Sequence, residues 1–325
     1  MANVRMIGVS AASDGALWGV DSTGFVYKLQ QQPTAWKRNP TAKRVKEIAV
    51  GSNDRVWCRN ADGDIFQLET SAWDADWIQD VGASDVQSIS VGGDGTVWVG
   101  NGRGQLFMRT SGGYIEQAAA GGNVSATLVE RYKRTGGSWE KNPYARDAKE
   151  VTVGDAGHVW YRDGSGKIHR LTGRDWNSKW QTDTQASQVQ FISAASDGTV
   201  WLSSADPADK DRLFSRQGTN KWQKNATGKA IQGSAGAADK FYCVNAQGVI
   251  HKQLNGDWPV LHGPDLSDLT ALTHMVKQHE TLGAIVQDAY KLSGPALTAK
   301  IKEVADYNGI ANPDRIDAGQ EIVLP

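Results

Sequence analysis

Six aromatic dipeptides recur along this chain at a nearly fixed interval, and a fold for it must be built from a unit of that length. They are Leu17-Trp18, Val56-Trp57, Val97-Trp98, Val159-Trp160, Val200-Trp201 and Phe241-Tyr242, and their second members stand 39, 41, 62, 41 and 41 residues apart. Three residues before each comes a turn slot held by Gly15, Asp54, Gly95, Gly157, Gly198 or Asp239. Three residues after comes Asp21, Asn60, Asn101, Asp163, Ser204 or Asn245, and six after comes Gly24, Gly63, Gly104, Gly166 or Gly248, with the fifth copy departing. An Asx residue followed by that Gly fits a hairpin turn ending in a left-handed conformation. An apolar-aromatic pair follows (Val26-Tyr27, Ile65-Phe66, Leu106-Phe107, Ile168-His169, Leu213-Phe214, Ile250-His251), and a strand precedes each dipeptide, clearest at 47–51, 88–92 and 150–154. A second tryptophan series, Trp36, Trp77, Trp139, Trp180, Trp222 and Trp258, closes each copy. Four short antiparallel strands in one such repeat make a propeller blade, and six blades close a ring without exposed sheet edges. The expectation is a mainly β chain, with a six-bladed β-propeller of four-stranded antiparallel blades over residues 1–262.

Composition narrows the partners. Lys and Arg number 35 against 36 Asp and Glu, in no long run of either sign, so no nucleic-acid partner is indicated. No apolar stretch approaches the ~20 residues of a membrane span. The start, Met1 to Ser10, holds no secretory apolar core, which predicts cytoplasmic synthesis without a removable leader, compatible with later release to act outside the cell. Cys58 and Cys243 occupy the same slot in copies two and six, which are not neighbours in a six-membered ring, so two free thiols are expected.

The third copy carries about 21 extra residues within 110–137, read as an extended outer hairpin or, alternatively, a lid or oligomer contact. About four extra residues near 207–210 in the fifth copy read as a longer loop.

The pattern Ile-Ser-Val-Gly-x-x-Gly-x-Val-Trp, then Gly-x-Leu/Ile-Phe/Tyr and a later Trp, resembles the tectonin repeat over residues ~4–262. No Gly-His…Trp-Asp signature of WD repeats recurs. The resemblance implies a lectin that binds bacterial surface sugars or methylated sugars at several inter-blade sites. A sugar site needs an aromatic face and planar polar groups. Trp36, Trp77, Trp139, Trp180 and Trp222, each followed three residues later by an Asx residue, supply both; Asn39, Asn142 and Asn225 are the candidate polar partners. A residue demanded by every copy is first a fold requirement, with Trp packed between blades and Asn or Asp capping a turn. Trp73 and Trp176 are not demanded by the repeat and are the expected exposed stacking platforms.

After Trp258 the repeat stops. Residues 263–271 read as a linker, and a helical period then places Leu282, Ile285, Val286, Ala289 and Tyr290 on one face. A second helix carries Ile301, Val304 and Ala305, with 292–300 read as the link between the helices; strands at 273–277 and 321–325 flank the pair. This α+β (βααβ) arrangement over 272–325 resembles a LysM-like domain through Thr281-Leu282, Tyr290, 308–314, Ile316, Gly319-Gln320 and the terminal Ile-Val-Leu-Pro. The resemblance implies binding of peptidoglycan or chitin oligomers through Gln278, His279, Glu280, Thr281, Asn308, Gly309, Ile310, Ala311 and Asn312. Modules of this kind also anchor protein assemblies, and that alternative stays open.

No nucleophile elbow, phosphate loop or metal-ligand spacing occurs, and Ala61-Asp62-Gly63-Asp64 reads as a turn. His169 and His251 fill a slot that Tyr or Phe holds elsewhere and read as packing residues. The expectation is no enzyme, no cofactor and no metal. The chain reads as a multivalent lectin; the alternative is a structural or targeting subunit with a protein assembly partner.

Overall fold

The structure, a computed structural model, describes residues 4–31, 34–42, 44–52, 55–70, 72–117, 130–218, 221–237, 240–264, 272–278, 280–290, 292–307, 310 and 312–324. Two compact units divide the chain between Gly263 and Pro264.

The first unit is the six-bladed propeller. Blade 1 runs Met6–Ala11, Leu17–Asp21, Val26–Gln31, Thr34–Arg38; blade 2 runs Val45–Gly51, Arg55–Asn60, Ile65–Leu68, Trp77–Asp80. Blade 3 runs Val86–Val91, Val97–Asn101, Leu106–Gln117, Glu130–Lys141; blade 4 runs Ala148–Val153, Val159–Asp163, Ile168–Leu171, Trp180–Thr182. Blade 5 runs Val189–Ala194, Thr199–Ser204, Arg212–Gln217, Gln223–Lys229, and blade 6 Gln232–Ala235, Phe241–Val244, Ile250–Lys252, Val260–Leu261. Each blade is an antiparallel meander contiguous in sequence, so neither chain end lends a strand to the other's blade. The innermost strands pack side by side and the sixth meets the first. Trp18, Trp57 and Trp98 are buried to 2 % exposure or less, which explains why an aromatic recurs in that slot: it fills the space between diverging blades.

The Asx–Gly turn forms as read. Asp21 Oδ1 accepts the backbone N–H of Thr23 and Phe25, and Gly24 takes φ 91°. A Cβ on Gly24 would stand 2.7 Å from the backbone of Arg44, at the entry of blade 2, so both the left-handed backbone and the close approach require glycine. In blade 5, where that glycine is missing, a short 3-10 helix, Pro207–Asp209, capped by the Asp206 side chain, takes the loop.

Side chains of the inner strands stitch neighbouring blades together by accepting N–H groups from the next blade. Ser10 accepts from Val50, Ser90 from Val153, Thr152 from Ala194, Ser193 from Ala235 and Ser234 from Ala11, at 2.9–3.0 Å. Ala49 has no hydroxyl at this position in blade 2; there Glu47 accepts the N–H of Ile89 instead. Ser88, Glu150 and Gln232 form a second tier, accepting from Val151, Ile192 and Val9. The axial cavity these strands line is small, about 90 Å³. One mouth is closed by turns: a Cβ on Gly93 would lie 3.3–3.5 Å from Ser52, Ser196 and Ser13 together.

Blades 2 and 3 depart from six separate sheets. The extra residues of blade 3 lengthen its outer hairpin, and Glu130–Arg134 pairs in parallel with Trp77–Asp80, merging the two blades into one eight-stranded sheet. The tip, 118–129, lies outside the described residues. Both cysteines are buried and unpaired, and burial pushes the Cys243 thiol up to about 12.

The second unit pairs Leu272–Met275 antiparallel with Glu321–Leu324 around two helices, Leu282–Tyr290 and Gly294–Tyr307. Val276, Leu282, Ile285, Val286, Val304, Ala305 and Ile322 form its core. Thr281 caps the first helix through its hydroxyl. The second helix begins at Gly294, so most of the segment read as an inter-helix link is helical. Pro295 stands in the first turn of this helix, where its missing N–H has no partner to lose.

Candidate functional site

The recurrent Trp and Asx residues meet across blade boundaries. Trp77 Nε1 donates to Asn39 Oδ1 (3.2 Å), Trp139 to Asp80 (3.2 Å), Trp180 to Asn142 (3.0 Å) and Trp258 to Asn225 (3.1 Å). In these four pairs the Asx of one blade fixes the outer indole of the next. The ring closes with Trp36 Nε1 donating to the His262 carbonyl at 2.8 Å.

These junctions have two chemistries. At the 1–2 and 3–4 boundaries the residue is Asn, buried to 1 % or less, and its amide donates to two carbonyls of the following hairpin: Asn39 to Trp73 and Ala75, Asn142 to Trp176 and Ser178. At the 2–3 and 4–5 boundaries it is Asp, which cannot donate and instead holds an arginine. Arg109 Nε reaches Asp80 Oδ2 at 3.3 Å, and Arg216 Nη1 reaches Asp183 Oδ2. Arg109 and Arg216 occupy the slot that Leu29, Leu68 and Leu171 fill in blades 1, 2 and 4. Sequence reasoning passed over this pair; the signal was an Arg in a Leu slot wherever the preceding Asx is Asp.

The two arginine junctions differ in turn. Trp57 and Trp139 meet edge to face at 6.4 Å, with Arg109 over Trp57. At the 4–5 boundary the guanidinium of Arg216 lies between two indoles, 5.0 Å from Trp160 and 4.7 Å from Trp222. A cleft of about 160 Å³ opens at the 2–3 boundary, walled by Ser84, Val86, Val99, Asn101, Phe107 and Trp139 among others. Another of about 200 Å³ opens at the 4–5 boundary, walled by Trp160, Arg170, Gln181, Asp183, Gln185 and Arg216 among others. Both combine an aromatic wall with polar groups; among the described residues the first has no charged side chain in its lining, whereas the second has Arg170, Asp183 and Arg216.

The remaining candidates are placed as follows. Trp36 and Trp77 are enclosed and offer no stacking face, because the neighbouring blade covers them. Asn39 and Asn142 spend both amide hydrogens and their oxygen on the fold, and Asn225 gives its oxygen to Trp258, Thr227 and Gly228. Trp73 and Trp176 are half-buried rather than exposed, packed against the blade cores and held at their carbonyls by the asparagines. Trp139, Trp180 and Trp222 are half-buried. His169 is fixed between Asp163 and Thr182 and stacks on Tyr161 at 4.4 Å, a packing role.

In the C-terminal unit Gln278, Thr281 and Asn312 are exposed, Ile310 is half-buried, and Glu280 accepts the Lys277 N–H and pairs with His274. Those hydrogen bonds hold the Glu280 carboxyl below the usual range. His279, Asn308, Gly309 and Ala311 lie outside the described residues.

Two carboxyls that line the axial cavity are displaced upward. Burial raises Glu47 and Glu150, the latter to about 7, and neither Arg59 (3.1 Å) nor Arg162 (3.0 Å) offsets it fully. Among the described residues no three His, Cys, Asp or Glu side chains group to hold a metal ion, and no helix is long and apolar enough to cross a membrane.

Residues 1–124 match the family model described as the tectonin domain. No curated protein matches the chain in sequence. Among solved structures the chain is similar to the SapL1 lectin in complex with alpha methyl fucoside, at 15 % identity over 81 % of this chain and 97 % of that one, TM-score 0.49. It is also similar to YCF48 from Cyanidioschyzon merolae (13 % identity, 76 % and 81 % covered, TM-score 0.47). A third is PorZ, a surface component of the type-IX secretion system of Porphyromonas gingivalis (10 % identity, 82 % and 39 % covered, TM-score 0.47).

Proposed function

We propose that this chain is a non-enzymatic carbohydrate-binding protein whose propeller takes glycans in clefts between blades. The observation that carries the reading is the pair of clefts at the 2–3 and 4–5 boundaries, the first walled by the outer Trp139 and the second by the ion-paired Asp183 and Arg216. The tectonin-domain match over residues 1–124 supports it. An indole face accepts the C–H side of a sugar ring, and planar polar groups fix its hydroxyls. The expected ligands are microbial or methylated surface glycans, bound weakly at each site and more firmly when two sites engage one sugar-coated surface. The C-terminal βααβ unit is proposed as a second, LysM-like module for peptidoglycan or chitin oligomers, through Gln278, Thr281 and Asn312.

A broad microbial glycan array probed with the full chain tests the reading. Bound glycans whose signal falls in Trp139→Ala or Trp222→Ala assign binding to the propeller. A signal that falls only in Gln278→Ala or Thr281→Ala assigns it to the C-terminal unit. A chain that retains its fold and binds nothing on the array refutes the proposal.

A further inference from the structure

The two arginine junctions share a sequence pattern but not a chemistry, and the difference points to a ligand class. At the 2–3 boundary Asp80 accepts from both Arg109 Nε and Trp139 Nε1, so the polar cluster is satisfied internally, and the cleft beside it has no charged side chain in its wall among the described residues. At the 4–5 boundary Asp183 is fully engaged elsewhere: Oδ1 accepts the N–H of Gln185 and Ala186, and Oδ2 accepts from Arg216 Nη1. Arg216 Nε, on a side chain that walls the cleft, then has no acceptor among the described residues, although the atom is buried. Buried donors without an acceptor are costly, and a site that leaves them so favours a ligand that brings acceptors.

The walls of this cleft point the same way. Arg170 stands exposed at its rim, Gln181 and Gln185 add amides, and the ionised side chains are two arginines against the one aspartate already paired. Donors and positive charge are therefore in excess. A planar carboxylate fits a guanidinium through charge-assisted hydrogen bonds, which are about twice as strong as neutral ones.

Resting on the carbohydrate-binding reading, we infer that the cleft between blades 4 and 5, walled by Trp160, Arg170, Asp183 and Arg216, binds an acidic sugar residue, a uronate, through its carboxylate. The 2–3 cleft, whose described wall carries no charged side chain, does not share this preference.

The test titrates the full chain with methyl glucuronide and methyl galacturonide against methyl glucoside and methyl galactoside, at low and high salt. The expected result is a uronide bound about tenfold more tightly than its neutral counterpart, as a charge-assisted contact implies. Salt shrinks that preference, because an exposed charge such as Arg170 is screened. Arg170→Gln removes most of it without moving the unfolding midpoint, since that side chain is exposed. Removing Arg216 alone strands a buried carboxylate, so the second variant is Asp183→Asn with Arg216→Leu, which recreates the Asn–Leu pairing of the 1–2 and 3–4 boundaries; it loses uronide binding while remaining folded. Equal binding of neutral and acidic sugars, or uronide binding that survives the double substitution, overturns the inference. If no uronide binds but neutral glycans on the array do, this inference fails and the carbohydrate-binding reading stands; if no glycan of any kind binds, that reading itself has failed.

Discussion

Asn142 illustrates how much one side chain holds in this fold. It donates to the carbonyls of Trp176 and Ser178 and accepts from Tyr144 N, Ala145 N and the Trp180 indole. Asn142→Ala strands several buried groups at about 1 kcal/mol each, so a loss of roughly 3 kcal/mol in unfolding free energy is expected from denaturant titration. Asn142→Asp should recover little of it, because a carboxylate cannot donate to the two carbonyls. The Trp-x-x-Asx spacing was legible in the sequence, but its cross-blade partnership was not, since the two residues of each latch lie 33 to 59 positions apart. Glu150 gives a second expectation at this scale. Folding raises its carboxyl from 4.5 to about 7, so the folded state binds the proton more tightly, and this residue's contribution to stability falls as pH rises through that window. Thermal unfolding followed from pH 4.5 to 7.5 should show a flatter profile for Glu150→Gln than for the parent chain; parallel profiles would contradict the assignment.

Among the elements, the lengthened hairpin of blade 3 is the one whose role was least visible. Its extra residues read in the sequence as an extended outer hairpin or as a lid or oligomer contact; the hairpin forms, and its second strand pairs with the outer strand of blade 2 at the boundary where Ala49 lacks the bridging hydroxyl found in the other five blades. A parallel pairing between segments so far apart leaves no local pattern, whereas the alternation and turn residues of each blade's own meander do. Shortening the hairpin by deleting 111–137 should leave a folded ring with a melting temperature lower by a few degrees, read by circular dichroism. An unchanged midpoint would mean that the pairing adds nothing. The second C-terminal helix was under-read for the opposite reason: Ser293-Gly294-Pro295 carries a loop signature that a helix start also tolerates.

For the whole molecule, the blades come in pairs. Asn39, Asn142 and Asn225 leave odd blades, Asp80 and Asp183 leave even ones, and Glu47, Glu150 and Gln232 sit on the inner strands of even blades. The forty-residue repeat thus contains a two-blade repeat, and the Asp–Arg junctions beside the clefts fall between the pairs. A single Arg216→Leu leaves the Asp183 carboxylate buried and uncompensated, and should cost about 3–5 kcal/mol. Adding Asp183→Asn should restore much of that, a coupling readable from a double-mutant cycle.

The most direct test of the central claim, that glycans enter between blades, follows the indole N–H resonances of the full chain as the strongest array ligand is added. Assigned by Trp→Phe substitution, the signals of Trp139 or Trp222 should shift while those of Trp18 and Trp98, sealed in the blade cores, stay in place. Shifts confined to residues of the C-terminal unit, with every propeller indole unmoved, would contradict the account.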